Sequence, residues 1–419
     1  MRLHPIFAAL RRHKAGVVLI ALQIALTLAI VCNAIFIIGQ RVQIIGRPSG
    51  MDESDVFVVS QQWVGVDNVE DPASVEKLDA LQREDLAALR NMPDVAAVTP
   101  ANSLPLYNSS WTGAVSVNPG HGEYDGSSNG TALVSYYYMD EQALAVLGAK
   151  LAEGRFFRAD EVAHIGPKDP APSGVTVISK QLAQKLFPGE SALGKPLYID
   201  GATKPSTIVG VLDRLQSPAV VRKVPWATVV IPARLDNLFA RYVVRAKPGR
   251  LDAAMKATPG VLYRTNPMRI LDEDNGLKSF AAIRGEAYQA DLSMAILMGA
   301  VCLILIGVTA AGIVGLTSFW VGQRHRQIGV RRALGARKVD ILLYFQMENL
   351  AIASGGAALG TVLAVGVNFC LMREFDMARL PLAWIAVGIV AVLVLGQAAV
   401  LAPARRASNV PPVAATRAS

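Results

Sequence analysis

The sequence predicts a membrane protein with four transmembrane α-helices and an α+β extracytoplasmic domain of two lobes, and three observations predict it. The 419 residues are 52% apolar and only 18% charged, with a mean hydropathy of +0.35, whereas a soluble chain carries about 25% charged residues. Four uncharged stretches are long enough to cross the bilayer as helices, which takes roughly 20 residues. The positive charge is confined to the segments that flank those stretches.

The elements follow in order. Segment 1–16 holds Arg2, Arg11, Arg12 and Lys14 and no acid. The first span, 17–39, is uncharged from Val17 to Ile38, with Gln23, Thr27 and Asn33 its polar interruptions. Its apolar run exceeds the roughly 7–15 residues of a signal-peptide core, and no small-x-small site follows cleanly, so it reads as an uncleaved anchor. Residues 40–288 form the external domain and stalk, and between 41 and 290 there are 26 basic and 28 acidic side chains. The second span, 289–321, is uncharged from Leu292 onward. The loop 322–346 holds Arg324, Arg326, Arg331, Arg332, Arg337 and Lys338 against Asp340 at its basic end. A third span (347–372), a short external loop (373–380) and a fourth span (381–403) precede the tail 404–419, which carries Arg405, Arg406 and Arg417.

An even number of crossings separates the three basic segments, so all three lie on one side, and that side is the cytoplasm. Both termini and the 322–346 loop are then cytoplasmic and the large domain is outside. The isoelectric point near 9.4 is thus a topology signal and implies no nucleic-acid partner.

The external domain reads as mixed α and β. Asp55–Ser60 and Val95–Thr99 read as strands around a short helix at Glu84–Asn91. Arg241–Arg245 and Val261–Arg264 read the same way around a helix at Arg250–Lys256. In each unit a proline, Pro93 or Pro259, is expected to stop the helix before the next strand. Two such β-α-β units would form one α+β layer. An inserted lobe, about 108–232, is richer in strands, at Thr131–Met139, Gly174–Ser179, Pro196–Asp200, Thr207–Leu212 and Ala227–Pro232. Asn118-Pro119-Gly120 and Asp125–Gly130 read as exposed loops. Asn275–Gln289 has a helical pattern and is either a stalk continuous with the second span or a linker.

Cys32, Cys302 and Cys370 all fall in spans and read as small apolar fillers. Their spacing and the five scattered histidines offer neither a metal site nor a catalytic constellation. Tyr136-Tyr137-Tyr138 suits either strand packing or a partner surface. Gly356 and Gly360 form a G-x-x-x-G in the third span, and Gly312 and Gly315 a small face in the second, either for packing within the four helices or for a subunit interface. Glu348, at the cytoplasmic entrance of the third span, calls for a structural salt bridge to an arginine of the loop.

The most informative stretch is Arg326-Gln327-Ile328-Gly329-Val330-Arg331-Arg332-Ala333-Leu334-Gly335-Ala336-Arg337-Lys338-Val339-Asp340-Ile341. By itself it is a basic amphipathic helix on which Ile328, Leu334, Ile341, Leu342 and Phe345 share an apolar side and which Gly335 would loosen or bend. Residue by residue it resembles the cytoplasmic loop of the MacB/FtsX-type ABC transporter permeases, departing at Gln327, where a glutamate is commoner. The tail Pro403-Ala404-Arg405-Arg406-Ala407, the external Leu193-Gly194-Lys195-Pro196-Leu197 with Ile208-Val209-Gly210-Val211, and Gly154-Arg155-Phe156-Phe157 resemble that family as well.

The resemblance implies a MacB-like periplasmic domain, whose β-α-β lobe is porter-like, and an FtsX-like permease domain in the bacterial inner membrane. It implies a loop helix that docks in a cleft of an ABC ATPase, with Ile328, Gly329, Arg331, Arg332, Leu334, Gly335 and Arg337 as its coupling residues. No G-x-x-x-x-G-K-[ST] occurs, so the expected ATPase is a separate subunit that holds the ATP and Mg²⁺, and this chain is a non-catalytic subunit without a cofactor. The other implied partners are a second permease chain (a copy or a relative), membrane lipid, and a periplasmic adaptor with an outer-membrane channel. Efflux by mechanotransmission is the leading expectation. Lipoprotein release of the LolC/LolE kind, FtsX-like control of a cell-wall hydrolase, and a membrane-anchored receptor or scaffold are the alternatives.

Overall fold

The computed structural model describes residues 14–66, 71–109, 111–120, 130–172, 174–220, 225–375 and 378–409. Arg2, Arg11 and Arg12, the loop expected at Asp125–Gly130 apart from Gly130, and Arg417 lie outside the described residues. Two compact units emerge, Met1–Ile45 with Asp291–Ser419, and Gly46–Ala290.

After α1 (Lys14–Ile45) the external chain runs β1 (Val56–Trp63), α2 (Pro72–Arg90), β2 (Val95–Pro100), β3 (Trp111–Ser116), β4 (Thr131–Met139), α3 (Ala143–Leu147) and β5 (Leu151–Gly154). It continues through β6 (Ala163–Ile165), β7 (Val175–Ser179), α4 (Lys180–Leu186), β8 (Pro196–Ile199), β9 (Ser206–Leu212), β10 (Thr228–Leu235) and β11 (Phe239–Ala246). It closes with α5 (Leu251–Thr265), β12 (Arg269–Leu271) and β13 (Leu277–Ser279). Four helices follow: α6 (Phe280–Gln323), α7 (His325–Ala333), α8 (Lys338–Phe375) and α9 (Leu382–Ser408).

The first lobe is an antiparallel sheet of order β12-β1-β11-β2, with β13 also paired to β1. Period-two alternation decides its core. Phe57, Val59 and Trp63 of β1 and Ala240, Tyr242 and Val244 of β11 are buried with Leu78, Leu86 and Leu89 of α2 and Ala254 and Leu262 of α5. Pro93 does separate a helix from a strand. Pro259 does not: α5 runs through it to Thr265, so Val261–Arg264 is helical and not the expected strand. Ala254, Thr258 and Leu262, four residues apart, are buried on one stripe of α5, and burying that stripe offsets the roughly 3 kcal/mol that an interior proline costs. The strand role passes to β12 and β13.

Inside this lobe the Arg269 and Asp85 side chains are both fully buried. They form two bonds, at 2.7 and 2.8 Å. Asp85 also accepts from Gln61 Nε2 at 2.7 Å and the Tyr242 hydroxyl at 3.0 Å, and Arg269 stacks 4.5 Å over the Trp63 ring. Desolvating two charges costs several kcal/mol, and only this full set of partners offsets it.

The second lobe is inserted between the neighbouring strands β2 and β11. Its strands follow the path β4-β3-β8-β9-β7-β10, and a parallel β10–β4 pairing returns to the start, so six strands close on themselves. Closure removes exposed edges, and the interior fills with Val115, Tyr136, Ile178, Ile208, Val229 and Ile231. Tyr136, Tyr137 and Tyr138 are all buried. The external motifs meet here: Gly154 pairs with Gly210, Arg155 N donates to Val209 O at 2.9 Å, and Gly194 N to Ile208 O at 2.8 Å. A Cβ on Gly154 (φ +74°) would collide with the Val209 carbonyl.

The two lobes are fastened where α2 meets the end of β10. Arg234 of β10 and Arg83 of α2 bind the two oxygens of Asp79, each partner at 2.7–2.8 Å. Asp236 Oδ2 sits 3.1 Å from His164 Nδ1. Asp79, His164 and Asp236 each bring a donor atom within 4.8 Å of the others. Both oxygens of Asp79 are already held by guanidinium groups, so this cluster is neutralised by arginine and is a poor cation site. Burial, with the Asp79 charge behind it, pushes Asp236 up to about 7.

In the other unit, α1 lies against α8 and α9. Gly356 and Gly360 of α8 approach its backbone: a Cβ at either would sit 2.8 Å from the Ala21 or Ala25 carbonyl. These glycines are taken up by packing within the four helices. Gly388 of α9 does the same against Cys32, whose Sγ a Cβ there would strike. Gly312 faces Gln23, while nothing lies within 4 Å of a Cβ on Gly315. The polar interruptions of α1 all have partners on other helices: Gln23 donates to Val308 O at 3.1 Å, Thr27 bonds Thr309 at 2.7 Å, and Asn33 donates to Ala364 O at 3.1 Å. Cys32 and Cys302 are buried fillers, but Cys370 is exposed on α8. Helix α6 is unbroken over 44 residues, about 66 Å at 1.5 Å per residue. It begins at Phe280 and not at Asn275, because Leu277–Ser279 is taken into the sheet as β13.

Two stability tests follow. Asp85→Ala strands Arg269 in the core and is expected to cost about 3–5 kcal/mol, read as a lower urea midpoint of the intact chain monitored by tryptophan fluorescence; an unchanged midpoint contradicts the assigned role. Asp236 has a folded pKa above its unfolded one, so from the ordinary carboxylate range up to about 7 the folded chain holds a proton that the unfolded chain has released. Stability therefore falls as pH rises through that window. Asp236→Asn is expected to flatten the fall in urea midpoint between pH 4 and 7, leaving the smaller slope from Asp140, which burial raises to about 6.

Candidate functional site

The segment between α6 and α8 is a helical hairpin. Helix α7 ends at Ala333, and the chain turns at Leu334-Gly335 before α8 begins at Lys338. Gly335 has φ +95°, a left-handed conformation that side chains with a Cβ resist. Gly335 N donates to Arg332 O at 3.2 Å and Ala336 N to Arg331 O at 3.0 Å, the two bonds of a Schellman cap. The start of α8 is closed by Asp340, whose carboxylate accepts from Arg337 N at 2.9 Å. Gly335 therefore ends a helix outright and does not merely bend one.

The turn also separates the expected apolar side into two. Ile328, Ile341 and Phe345 are buried in one cluster with residues of α1, α8 and α9, and Leu342 packs against it. Leu334 stands at the tip with 83% of its surface exposed. Arg331, Gly335 and Arg337 are exposed beside it, Gly329 is buried, and Arg332 is half-buried. The Arg331 guanidinium lies 5.2 Å from the Tyr344 ring centre.

The base of the hairpin is held by an ion pair. Arg324 Nη1 donates to both oxygens of Glu348, at 2.8 and 3.1 Å, and both side chains are largely buried. The salt bridge expected between Glu348 and an arginine of the loop is made by Arg324, and Asp340 is a site residue that sequence reasoning did not single out. The signal for Asp340 was its place three residues after Arg337, the spacing at which a carboxylate reaches back to a helix start. The tie between positions 324 and 348 has no such local signature. The described side chains of the hairpin offer an exposed apolar tip ringed by cations on a fixed base, and no nucleophile, acid–base pair or phosphate cradle.

The architecture is that of a multi-span membrane protein with an external α+β domain. Residues 17–259 match the family described as MacB-like periplasmic core domain, and residues 299–412 the FtsX-like permease C-terminal family. The chain belongs to the MacB/FtsX-type family of ABC transporter permeases.

Among its relatives, the macrolide export ATP-binding/permease protein MacB of Pasteurella multocida is 25% identical over 99% of this chain and 59% of its own length. That of Agrobacterium fabrum is 27% identical over 97% and 59%, and that of Campylobacter jejuni (strain 81-176) 25% over 65% and 42%. The chain thus spans about 40 to 60% of the length of these relatives. The crystal structure of the periplasmic region of MacB from Actinobacillus actinomycetemcomitans matches 58% of this chain and 97% of its own, at 16% identity and a TM-score of 0.34, an overlap that carries no further argument.

Gly335→Ala puts a Cβ on the left-handed residue and is expected to loosen the turn by about 1 kcal/mol. The check is limited trypsin digestion of the intact protein: cleavage at Arg331, Arg332 and Arg337 should accelerate several-fold, and an unchanged rate contradicts the cap.

Proposed function

We propose that this chain is the permease subunit that couples ATP hydrolysis on an ABC ATPase to movement of the extracytoplasmic domain, exporting its cargo by mechanotransmission. The observation that carries the reading is the hairpin tip. Leu334 is 83% exposed, Val330 and Val339 of the same hairpin are exposed as well, and an apolar group of this kind rimmed by charge marks a contact surface. Arg331 and Arg337 suit the acidic rim of a partner's cleft, while the Arg324–Glu348 pair and the buried Ile328, Ile341 and Phe345 tie the base to α8 and its neighbours. A push on the tip is thereby delivered to the spans, and α6 is one unbroken helix that follows β13 directly in the chain.

Charge placement supports a cytoplasmic tip, since the three basic flanks share one side. The ATPase is a separate cytoplasmic subunit that binds ATP and Mg²⁺, a second permease chain completes the core, and the assembly lies in the bacterial inner membrane. The relatives named for macrolide export support efflux, in which an adaptor and an outer-membrane channel would take part.

The test is to purify the tagged chain from its native cell, identify the ATPase that accompanies it and measure turnover. Leu334→Asp is expected to lower permease-stimulated ATPase activity at least about tenfold, because one desolvated carboxylate at a contact costs more than 1.4 kcal/mol, with the external domain's urea midpoint unchanged. Full stimulation in the variant, or the absence of any ATPase, overturns the proposal.

A further inference from the structure

A cavity of about 490 Å³ opens between the two lobes of the external domain. Strand alternation builds its floor. With Phe57, Val59 and Trp63 of β1 and Ala240 and Tyr242 of β11 turned to the core, Ser60, Gln62, Phe239 and Arg241 fall on the opposite face of the sheet and line the cavity. Ile270 and Asp272 continue that face on the far side of β1. The second lobe supplies the facing wall with Tyr107, Trp111 and Tyr138. The rings of Trp111 and Tyr138 meet edge to face at 5.8 Å.

Three features distinguish this cavity from a water-filled gap. Arg241 is fixed in place: its guanidinium lies 4.2 Å from the Tyr107 ring centre, Nε donates to Ser60 Oγ at 3.3 Å, and Nη1 donates to the Asn102 carbonyl. Tyr107 and Ser60 are bonded to one another at 2.9 Å. All these partners are neutral, so the cation is oriented without being neutralised by a carboxylate among the described residues. Second, Gln82 lines the cavity, is 3% exposed, and its Oε1 has no hydrogen-bond partner, while its Nε2 is spent on Leu235 O at 3.2 Å. Third, large apolar groups stand in water among the lining residues: Phe239 is 66% exposed, Ile270 54% and Trp111 38%. A preformed cavity of this size, with apolar walls and a few oriented polar groups, has the make-up of a small-molecule site.

We propose that this cavity binds a ring-bearing organic monoanion. The ring packs against Trp111, Phe239 and Ile270, its carboxylate meets Arg241, and a donor on its polar part reaches Gln82. Asp272 narrows the class. The backbone N–H groups of Asn275 and Asp274 hold its carboxyl below the usual range, so it stays ionised in the same cavity and repels polyanions such as nucleotides. The site lies wholly in the external domain and is independent of the hairpin, so its failure and the failure of the coupling reading are separate results.

The test uses the full chain in lipid nanodiscs and a matched pair of probes, N-acetyl-5-fluoro-L-tryptophan and its carboxamide, which share the ring and differ in the charge. Fluorine NMR line broadening reads their binding. The acid is expected to bind saturably and at least about tenfold tighter than the amide, as a charge-assisted bond in place of a neutral one implies. Arg241→Gln should bring the acid down to the affinity of the amide. Phe239→Ala, a change at an exposed position that leaves the core intact, should weaken both probes several-fold. Equal affinity of the two probes for the parent chain, broadening that never saturates, an acid preference that survives Arg241→Gln, or full affinity in Phe239→Ala overturns the proposal.

Discussion

Hydrocarbon offers no partner to a peptide group, so every chain segment that crosses it must satisfy its own backbone as a helix and keep charge out of its middle. The membrane unit follows this rule. Its polar interruptions Gln23, Thr27 and Asn33 each bond another helix. Ion pairs sit where spans begin or end: Arg41 with Asp291 at 2.7 Å, and Arg324 with Glu348 at 2.8 Å. Close approach of the helices is bought with glycine at 356, 360 and 388. The spans are left with no cluster of titratable groups among the described residues, so any chemistry of recognition is displaced to the two regions outside them, the external lobes and the α7–α8 hairpin.

The external domain meets the opposite demand, because it must build a core from its own chain without disulfides. One lobe does so by layering α2 and α5 on a sheet, and the other by closing six strands on themselves. The insertion joins them at little topological cost, since it leaves from β2 and returns to β11, which are already neighbours. The same arrangement creates the cavity. The face of the first sheet turned away from its helices would be open to water in a free-standing sheet, and here it faces the inserted lobe across Arg241 and Tyr107.

Much of this was legible because it is local. Hydropathy located the four spans, the strand-like stretches Thr131–Met139 and Thr207–Leu212 became β4 and β9, and the motif stretches fell on elements that meet. What was not legible depends on partners distant in sequence. Pro259 looked like a helix stop because its context is a stripe buried against α2, which no window around residue 259 contains. The Asp85–Arg269 pair joins positions 184 residues apart, and closure of the β4–β10 ring depends on a parallel pairing that no turn announces. The glycines at 356 and 360 form a close-packing face, but their partner, α1, lies more than 300 residues away and only the fold names it.

The hairpin shows how the family motif divides into two kinds of demand. Gly335 is required by φ +95°, Asp340 by the start of α8, and Ile328 and Ile341 by the buried cluster. Each would be kept by a hairpin that touched nothing, so their agreement with the family speaks for a shared turn and not for a shared partner. Leu334 and Arg337 have no such role, since the Schellman bonds are made by backbone, and Arg331 spends only its ring contact with Tyr344 on the hairpin itself. A docking surface would use these three side chains. Gln327, the one departure from the family pattern, is exposed on α7 and belongs with this second group: no backbone bond depends on it, and an amide in place of a carboxylate leaves the tip more positive.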